Sequence, residues 1–341
     1  MLLITAFMKK DSFLKFKSLL KTTKNIVIIT HWSPDGDAMG SSLALYLFLK
    51  KLKKNVSVIV PNEYPEFLKW MPGDKQVINF SLNRKKALSA LNKSDLIFTL
   101  DFNSLKRIEK LGEHLAIVKA PKVLIDHHQQ PENYASYYFY DVKACSTCEL
   151  IYDFITGLGG KKLIDKQIAA CLYTGLMTDT GSFRYPSVTA NTHLVISELL
   201  KTGIIPANIH SAIYDTYSED RMRLLGYALS EKMTVLENSP VAYIALTSTE
   251  LKEFNFKKGD TEGLVNYPFS IKGIKVCVLF NESEEGYIKI SFRSKGKIDV
   301  NKFARSYFNG GGHINAAGGK STESLDKTVN KFIELSKELV K

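Results

Sequence analysis

A histidine and two aspartates stand close together in the segment His31-Trp-Ser-Pro-Asp35-Gly-Asp37. Imidazole nitrogens and carboxylate oxygens are common protein ligands for divalent metal ions. The segment directly follows the apolar run Ile26-Val-Ile-Ile29, which is typical of a strand buried on both faces of a parallel sheet. Because ligand crevices open at the carboxyl ends of such strands, the position of the segment also predicts a site.

Further candidate ligands follow other apolar stretches, namely Asp101, the triplet Asp126-His127-His128 and Asp179. Taken singly, such an aspartate is often a helix cap or turn former, and a lone histidine is often a satisfied polar group near a core. Four of these carboxylates (Asp126 is the one not counted) and at least two imidazoles, without thiolates, favour a pair of divalent ions, Mn²⁺ first and Mg²⁺ second. One carboxylate must then bridge the ions, and the chemistry that such a pair supports is phosphoester hydrolysis.

The pattern of elements predicts where these residues lie. Alternating strands and helices indicate a mostly parallel α/β sheet that is covered on both faces; strands are expected near 26–30, 56–60, 95–100 and 122–125, and helices near 38–53, 84–92, 147–157, 165–177 and 190–201. A smaller, mixed α/β domain follows, with strands near 241–247, 274–280 and 286–293 and helices near 299–307 and 325–340. We therefore expect a metal-binding catalytic domain over 1–205, a helical linker over 206–235 and a substrate-binding domain over 236–341.

The metal-ligand motifs resemble a known family. His31-x-Ser-Pro-Asp35-Gly-Asp37, Asp101, Asp126-His127-His128 and Thr178-Asp179-Thr180-Gly181 are similar to the four motifs of the DHH phosphoesterases, in the family's order. The glycine-rich segment Gly310–Gly318 resembles the motif of the DHHA1 domain. This resemblance implies a Rossmann-like DHH domain followed by a DHHA1 domain. Within the family, the chain looks most like the stand-alone enzymes that degrade very short RNAs and dephosphorylate 3′-phosphoadenosine 5′-phosphate.

The resemblance also implies a role for each matching residue. One metal ion would be held by His31, Asp35 and Asp101, and the other by Asp37, Asp101, His127 and Asp179. Asp101 would be the bridge, so that Asp37 and Asp101 also count as catalytic. His128 would face the scissile phosphate and stabilise charge in the transition state, as an oxyanion donor does. Asp126 would orient a ligating imidazole.

Substrate contacts are expected mainly in the second domain. The consecutive glycines Gly310, Gly311 and Gly312 can form a nest of backbone N–H groups for a phosphate, although a flexible turn is the simpler interpretation of glycines alone. His313 and Asn315 can donate to a phosphate or a base edge. Arg293 could bind phosphate with two donors or could be a solvated strand residue, and Arg107 and Arg184 are weaker candidates of the same kind.

Composition agrees with a nucleotide substrate without specifying one. The net charge of +11 would attract a polyanion, although many lysines only decorate helix faces. Cys145 and Cys148 are expected to be buried, reduced thiols, because no further zinc ligands have suitable spacing. Neither a signal peptide nor a stretch of the ~20 apolar residues that a membrane helix needs is apparent, so a cytoplasmic enzyme is expected. The resemblance further suggests a homodimer.

We therefore expect hydrolysis of short single-stranded RNA of about two to five nucleotides to 5′-mononucleotides, and removal of the 3′-phosphate from 3′-phosphoadenosine 5′-phosphate. Two alternatives are a single-strand-specific exonuclease and a phosphodiesterase of cyclic or linear dinucleotides. An inorganic pyrophosphatase is less favoured, because that branch of the family carries a different C-terminal domain. A silent nucleotide sensor is disfavoured because all six expected metal-ligand positions are intact.

Overall fold

The apolar run before His31 forms the central strand of a six-stranded sheet in the computed structural model, which describes residues 10–340. All strand pairs are parallel, in the order β3-β2-β1-β4-β5-β6. The strands are β1 (Asn25–Thr30), β2 (Asn55–Val60), β3 (Val77–Asn79), β4 (Leu96–Leu100), β5 (Lys122–Asp126) and β6 (Tyr137–Tyr140). The chain order reverses between β1 and β4, and at such a switch point the carboxyl ends of the strands open a crevice.

Helices cover both faces of this sheet because the strands are apolar on both sides. In β1, Ile26 and Ile28 pack into one core, whereas Val27 and Ile29 pack into the other. This is the alternation that a fully buried parallel strand requires. The helices of this unit are α1 (Lys10–Thr22), α2 (Gly36–Lys51), α3 (Arg84–Asn92), α4 (Lys110–Ile117), α5 (Thr147–Gly157), α6 (Lys166–Asp179), α7 (Ala190–Leu200) and α8 (Pro206–Tyr214).

A second compact unit begins at Tyr217, and the first ends at Thr216. Its sheet has the order β11-β12-β10-β9-β8-β7, in which only β8 and β9 are parallel. The strands are β7 (Met233–Val235), β8 (Val241–Leu246), β9 (Val276–Glu282), β10 (Ile288–Ser294), β11 (Gly311–His313) and β12 (Ala316–Ser321). The helices are α9 (Glu219–Ser230), α10 (Ser248–Glu253), α11 (Val300–Tyr307) and α12 (Leu325–Ser336).

The fold class predicted from the sequence is confirmed, but several elements were not predicted. The sequence missed the 13-residue helix α1. It also missed short elements with weak periodicity, namely β3, β6, α4, β7, α10, β11 and β12. The last helix ends at Ser336 rather than near residue 340. The segment 206–235 contains two helices with different neighbours, because Ile209 of α8 joins the core of the first unit and Leu224 of α9 joins that of the second. No helix within residues 10–340 is long and apolar enough to cross a membrane.

A half-buried network in the second unit allows a stability prediction. The carboxylate of Glu250 accepts hydrogen bonds from the Thr247 backbone N–H, the Tyr227 hydroxyl and Lys232 Nζ, at 2.8, 2.7 and 2.7 Å. Partial burial opposes its charge, but Lys232 and the other donors outweigh that effect and lower the pKa of Glu250 to about 2. We expect Glu250→Gln to cost about 1–2 kcal/mol at pH 7, measured as the shift of the urea unfolding transition.

The sign of the pH dependence follows from the lowered pKa. The contribution of Glu250 is complete above the pKa of the unfolded chain and is lost as the pH falls from about 5 towards 2. The difference between the wild type and Glu250→Gln should therefore shrink across that range. Glu253→Gln, an exposed change in the same helix, is the control and should have no comparable effect. Equal stability of the wild type and Glu250→Gln at pH 7 would contradict this account.

Candidate metal centre

The loop from β1 to α2 and the first turn of α2 carry the first three candidate ligands. Asp35 is the N-cap of α2, and its Oδ1 accepts hydrogen bonds from the backbone N–H groups of Asp37 and Ala38, both at 3.0 Å. Aspartate is a preferred residue at this position, because its carboxylate satisfies backbone N–H groups that have no partner within the helix. Its other oxygen, Oδ2, faces His31 Nε2 at 3.8 Å. Asp35 therefore both caps the helix and contributes to the cluster.

The first group of candidate ligands consists of His31, Asp35 and Asp101. His31 Nδ1 donates to the carbonyl oxygen of Trp32 at 2.8 Å, which directs Nε2 towards the carboxylates. Nε2 lies 3.4 Å from Oδ2 of Asp101. Fixing one ring nitrogen on a backbone carbonyl is the usual way in which proteins orient a metal-binding histidine.

The second group consists of Asp37, His127 and Asp179. His127 Nδ1 donates to the carbonyl oxygen of Ala144 at 3.2 Å. Its Nε2 lies 3.8 Å from Asp37 Oδ2, 3.6 Å from Asp179 Oδ2 and 3.4 Å from Asp101 Oδ1. All the residues that the sequence predicted as metal ligands therefore lie in two adjacent groups.

Asp101 is shared by the two groups. Its Oδ2 faces His31 and its Oδ1 faces His127, both at 3.4 Å, which is the arrangement that a bridging carboxylate needs. Its backbone φ is 64°, in the left-handed region that few residues other than glycine adopt. Such strain often accompanies functional sites, and aspartate tolerates this conformation better than most residues do.

The electrostatics of the cluster suit a cation. Burial and repulsion by the Asp101 and Asp179 carboxylates raise the pKa of Asp37 well above its usual range. Burial also opposes charge on His31, but Asp101 and Asp35 outweigh it and raise the pKa of His31 to about 10. Within residues 13–340, no lysine or arginine pairs with Asp35, Asp37 or Asp101. Because buried carboxylates need a counter-charge, divalent ions fit these residues.

The N-terminus of α5 supports two of these carboxylates. The backbone N–H groups of Thr147 and Cys148 donate to the two oxygens of Asp37, at 2.6 and 2.9 Å. The Thr147 hydroxyl donates to Asp101 Oδ1 at 3.0 Å. Sequence reasoning considered Cys148 only as a buried thiol, which it is, and missed Thr147. The available signal was the cap Ser146, which marks a helix start beside the candidate ligands.

A close helix contact keeps Asp37 in this position. A Cβ on Gly175 of α6 would collide with the Cys148 sulfur and would lie only 2.7 Å from Asp37 Oδ1. Glycine is therefore required where α6 passes the cluster, and Asp179 stands one turn further along the same helix. This contact links the position of Asp179 to that of Asp37.

We expect Thr147→Val to weaken metal binding by the candidate ligands without changing the fold. Valine has the same shape as threonine but lacks the hydroxyl that donates to Asp101. Loss of such a supporting hydrogen bond typically costs about 10- to 100-fold in metal affinity or activity. The measurement is the Mn²⁺ concentration that gives half-maximal hydrolysis. Thr147→Ser keeps the hydroxyl and should restore most of the affinity. If Thr147→Val requires no more Mn²⁺ than the wild type, the hydroxyl does not support the bridging carboxylate.

His128 differs from His127 in its partner. Its Nδ1 donates to Asp126 Oδ1 at 2.7 Å, and its backbone N–H donates to the same oxygen at 3.2 Å. Burial and the nearby positive charge of Arg107 lower the pKa of His128 well below its usual range. Asp126 therefore orients His128, whereas the sequence analysis expected it to orient a ligating imidazole. The reason is local, because Asp126 and His128 are two residues apart at the end of β5.

The two arginines assigned to the first unit have different surroundings. Arg107 is half-buried, and after the larger effect of burial its charge lowers the pKa of His128; it also opposes, without reversing, the raised pKa of His31. Arg184 is exposed, and its Nε donates to the Gly181 carbonyl oxygen at 2.8 Å. Arg107 is therefore the better supported of these two candidates for a phosphate contact.

The glycine-rich segment of the second unit forms a hairpin rather than an open nest. Strand β11 (Gly311–His313) pairs with β12, and the Gly310 N–H donates to the Ala304 carbonyl oxygen at 3.1 Å. The Gly312 N–H donates to Asn301 Oδ1 at 2.9 Å. Two of the three glycine N–H groups are thus used within the unit. Glycine is needed at 312 because φ is 151° and a Cβ would collide with the Ala316 carbonyl oxygen.

The remaining candidates of the second unit lie on or near this hairpin. His313 is half-buried in β11, and Arg293 is half-buried near the end of β10, where its Nη1 donates to the Phe292 carbonyl oxygen at 3.0 Å. Asn315 donates from Nδ2 to Ser294 Oγ and to the carbonyl oxygens of Gly296 and Ile298, at 2.8, 3.0 and 3.3 Å. These bonds use its amide hydrogens, so Asn315 stabilises the turn instead of donating to substrate.

Comparison with known proteins agrees with this architecture. Residues 25–176 match the DHH family, N-terminal domain, and residues 238–341 match the DHHA1 domain. The chain is 42% identical to an exopolyphosphatase-related protein from Bacteroides fragilis of known structure, with a TM-score of 0.91 and 96% of each chain covered. It is 30% identical to the bifunctional oligoribonuclease and PAP phosphatase of Mycoplasma genitalium, covering 91% of this chain and 93% of that protein. It is 29% identical to the protein of the same name from Thermus thermophilus, covering 92% and 89%. The chain belongs to the DHH family and carries a DHHA1 domain in its second unit.

Proposed function

We propose that this protein is a phosphoesterase that uses two divalent metal ions to hydrolyse short RNA of about two to five nucleotides to 5′-mononucleotides. It also removes the 3′-phosphate from 3′-phosphoadenosine 5′-phosphate. The observation that carries the proposal is the position of Asp101, whose two oxygens face two separate groups of ligands. The relatives named as oligoribonucleases and PAP phosphatases, which align with nearly the whole chain, support the substrate class.

The candidate ligands form two sets, one for each metal ion. His31, Asp35 and Asp101 would hold one, and Asp37, Asp101, His127 and Asp179 the other. Mn²⁺ is the first choice and Mg²⁺ the second, because oxygen ligands predominate and thiolates are absent from the donor set. Two such ions supply an activated water and neutralise charge on the phosphate oxygens.

His128 is the side chain, apart from the candidate metal ligands, that would act on the substrate phosphate. Because Asp126 holds its Nδ1, the ring presents Nε2 as the nitrogen for contact with a substrate phosphate. An aspartate in this position also stabilises the imidazolium form when the ring takes up a proton. Because its pKa is lowered, the ring is neutral near pH 7 and Nε2 carries no proton. His128 would therefore donate to the oxygen on which negative charge develops only after Nε2 has accepted a proton from the attacking water.

Basic side chains are the candidates for binding the substrate phosphate. Arg107 stands near the cluster, and Arg184, Arg293 and His313 are the further candidates. Gly311, which pairs with Gly318 of β12, is a further candidate for a backbone contact. We also retain as proposals a cytoplasmic location, a homodimer, and a division into a catalytic domain over 1–205, a helical segment over 206–235 and a substrate-binding domain over 236–341.

The first experiment compares substrates in a time course with Mn²⁺. RNAs of two, five and twenty-four nucleotides would be run beside 3′-phosphoadenosine 5′-phosphate, a cyclic dinucleotide and inorganic polyphosphate. We expect rapid loss of the short RNAs and of the bisphosphate, with the long RNA lagging. Polyphosphate is included because the similar Bacteroides fragilis protein is described as exopolyphosphatase-related. Faster hydrolysis of the long RNA, the cyclic dinucleotide or polyphosphate would replace the proposed substrate class.

A further inference from the structure

A small cavity in the first unit lies outside the two groups of candidate ligands. It has a volume of about 220 Å³ and is lined by the segments that follow β1, β2, β3 and β4. Its lining includes the buried side chains of Phe80, Ile108 and Leu111, together with Trp32. Lys110 and Glu109 supply charged groups at the same cavity. The cavity thus combines an apolar lining with a few polar groups, which is typical of small-molecule sites.

The cavity is joined to the candidate metal centre by two short segments of chain. Trp32 directly follows His31, and its carbonyl oxygen accepts the hydrogen bond from His31 Nδ1 at 2.8 Å. The Trp32 backbone N–H donates to the carbonyl oxygen of Arg107 at 2.8 Å. Arg107 directly precedes Ile108, which lines the cavity. Residues of the cavity lining thus directly follow His31 and Arg107 in two segments that are hydrogen-bonded to each other.

The backbone at Trp32 is fixed, whereas its indole is not buried. Besides the two bonds of Trp32 itself, the following residue, Ser33, donates from its N–H to Asn62 Oδ1 at 2.7 Å. The indole nevertheless remains 41% exposed. In the part of the chain that the structure describes, no other aromatic ring packs on it. A large, partly exposed ring whose backbone is fixed beside a cavity and a cluster of ligands is suited to stack against a planar ligand.

We propose that this cavity is a nucleobase subsite, in which Trp32 stacks on one base of the nucleotide whose phosphate lies at the candidate metal centre. The inference rests on the proposed function and specifies its substrate. The cavity is smaller than the roughly 300–1,000 Å³ of pockets for drug-sized ligands, so it suits a single ring system. Its apolar lining suits a base and not a chain of phosphates. Lys110 and Glu109 can hydrogen-bond to the polar edge of the base.

A fluorescence titration tests the subsite without relying on hydrolysis. The chain contains two tryptophans, Trp32 and Trp70, so Trp70→Phe leaves Trp32 as the only indole. In Mg²⁺, adenosine 5′-monophosphate should quench the fluorescence saturably. Ribose 5-phosphate and inorganic phosphate, which lack a base, should not. If all three compounds quench the fluorescence alike, or none does, the assignment of the cavity as a base subsite is wrong. This holds whether or not the protein hydrolyses RNA.

A kinetic test uses Trp32→Ala on an adenine dinucleotide. We expect KM to rise about 5- to 100-fold, the loss of one base–aromatic stack, with kcat within about threefold of the wild type. Trp32→Phe should recover most of the affinity, and Trp70→Ala, at a similarly exposed tryptophan outside the cavity, is the matched control.

Dinucleotides that lack one base at a time complete the test. When the missing base is the one that Trp32 contacts, the wild type and Trp32→Ala should have the same KM. A Trp32→Ala effect that persists with both base-lacking dinucleotides, or that falls on kcat alone, would overturn the subsite. Base-specific quenching combined with no hydrolysis of any RNA would instead retain the subsite and reject the proposed reaction.

Discussion

Asp101→Asn is expected to reduce Mn²⁺-dependent hydrolysis of an RNA dinucleotide by about 10³-fold or more, which corresponds to at least about 4 kcal/mol in activation free energy. Asparagine has the same shape and also tolerates the left-handed backbone at this position, where φ is 64°. It lacks the second anionic oxygen with which Asp101 faces both His31 and His127. The fold should therefore persist while the bridge between the two groups is lost.

The measurements are kcat/KM and the number of Mn²⁺ ions bound per chain. We expect fewer bound ions in Asp101→Asn and an unchanged circular dichroism spectrum. Asp141→Asn is the matched control, because Asp141 also follows a strand of the same sheet but belongs to neither ligand group. If Asp101→Asn binds two ions and turns over normally, the bridging assignment is wrong. Retained nucleotide binding with lost turnover would also argue against a silent nucleotide sensor.

His128→Ala is expected to lower kcat by about 10²- to 10³-fold while the number of bound metal ions stays the same. The reason is that His128 Nδ1 is held by Asp126, which leaves the ring to act on the substrate through Nε2. Asp126→Asn should have a smaller effect of about 10- to 100-fold, because it disturbs only the orientation of the ring. Single-turnover kinetics with the 5′-labelled dinucleotide would separate the chemical step from binding.

Metal stoichiometry decides between two roles for this histidine. His128, Asp101 and Asp126 also lie close enough together to be considered as a group of metal ligands. If His128→Ala loses one Mn²⁺ per chain, His128 is a ligand and not a group that faces the phosphate. His193→Ala changes an exposed histidine of α7 that belongs to no ligand group; it is the control and should alter neither kcat nor the number of bound Mn²⁺ ions.

The sequence was sufficient to identify the candidate ligands and the sheet that carries them. Apolar β-branched runs such as Ile26–Ile29 report burial on both faces, and the residues that follow such strands must gather at one edge of a parallel sheet. Short elements such as β3 and β6 were missed because three or four residues carry too little periodicity. The glycine run was interpreted only in part, because its composition indicates freedom of the backbone but not the partners of its N–H groups.

Tertiary structure decided how the ligands are supported and what lies beside them. The N–H group of Thr147 reaches Asp37 across 110 positions of sequence, and the Gly312 N–H is taken by Asn301 of another element. Local patterns report the burial and conformation of one segment at a time. Hydrogen-bond partners between distant segments, and a cavity beside Trp32, depend instead on how separate helices and strands pack together. For that reason the sequence determined which residues could hold metal ions. The packing determined which hydrogen bonds support those side chains and where a cavity for a base could form.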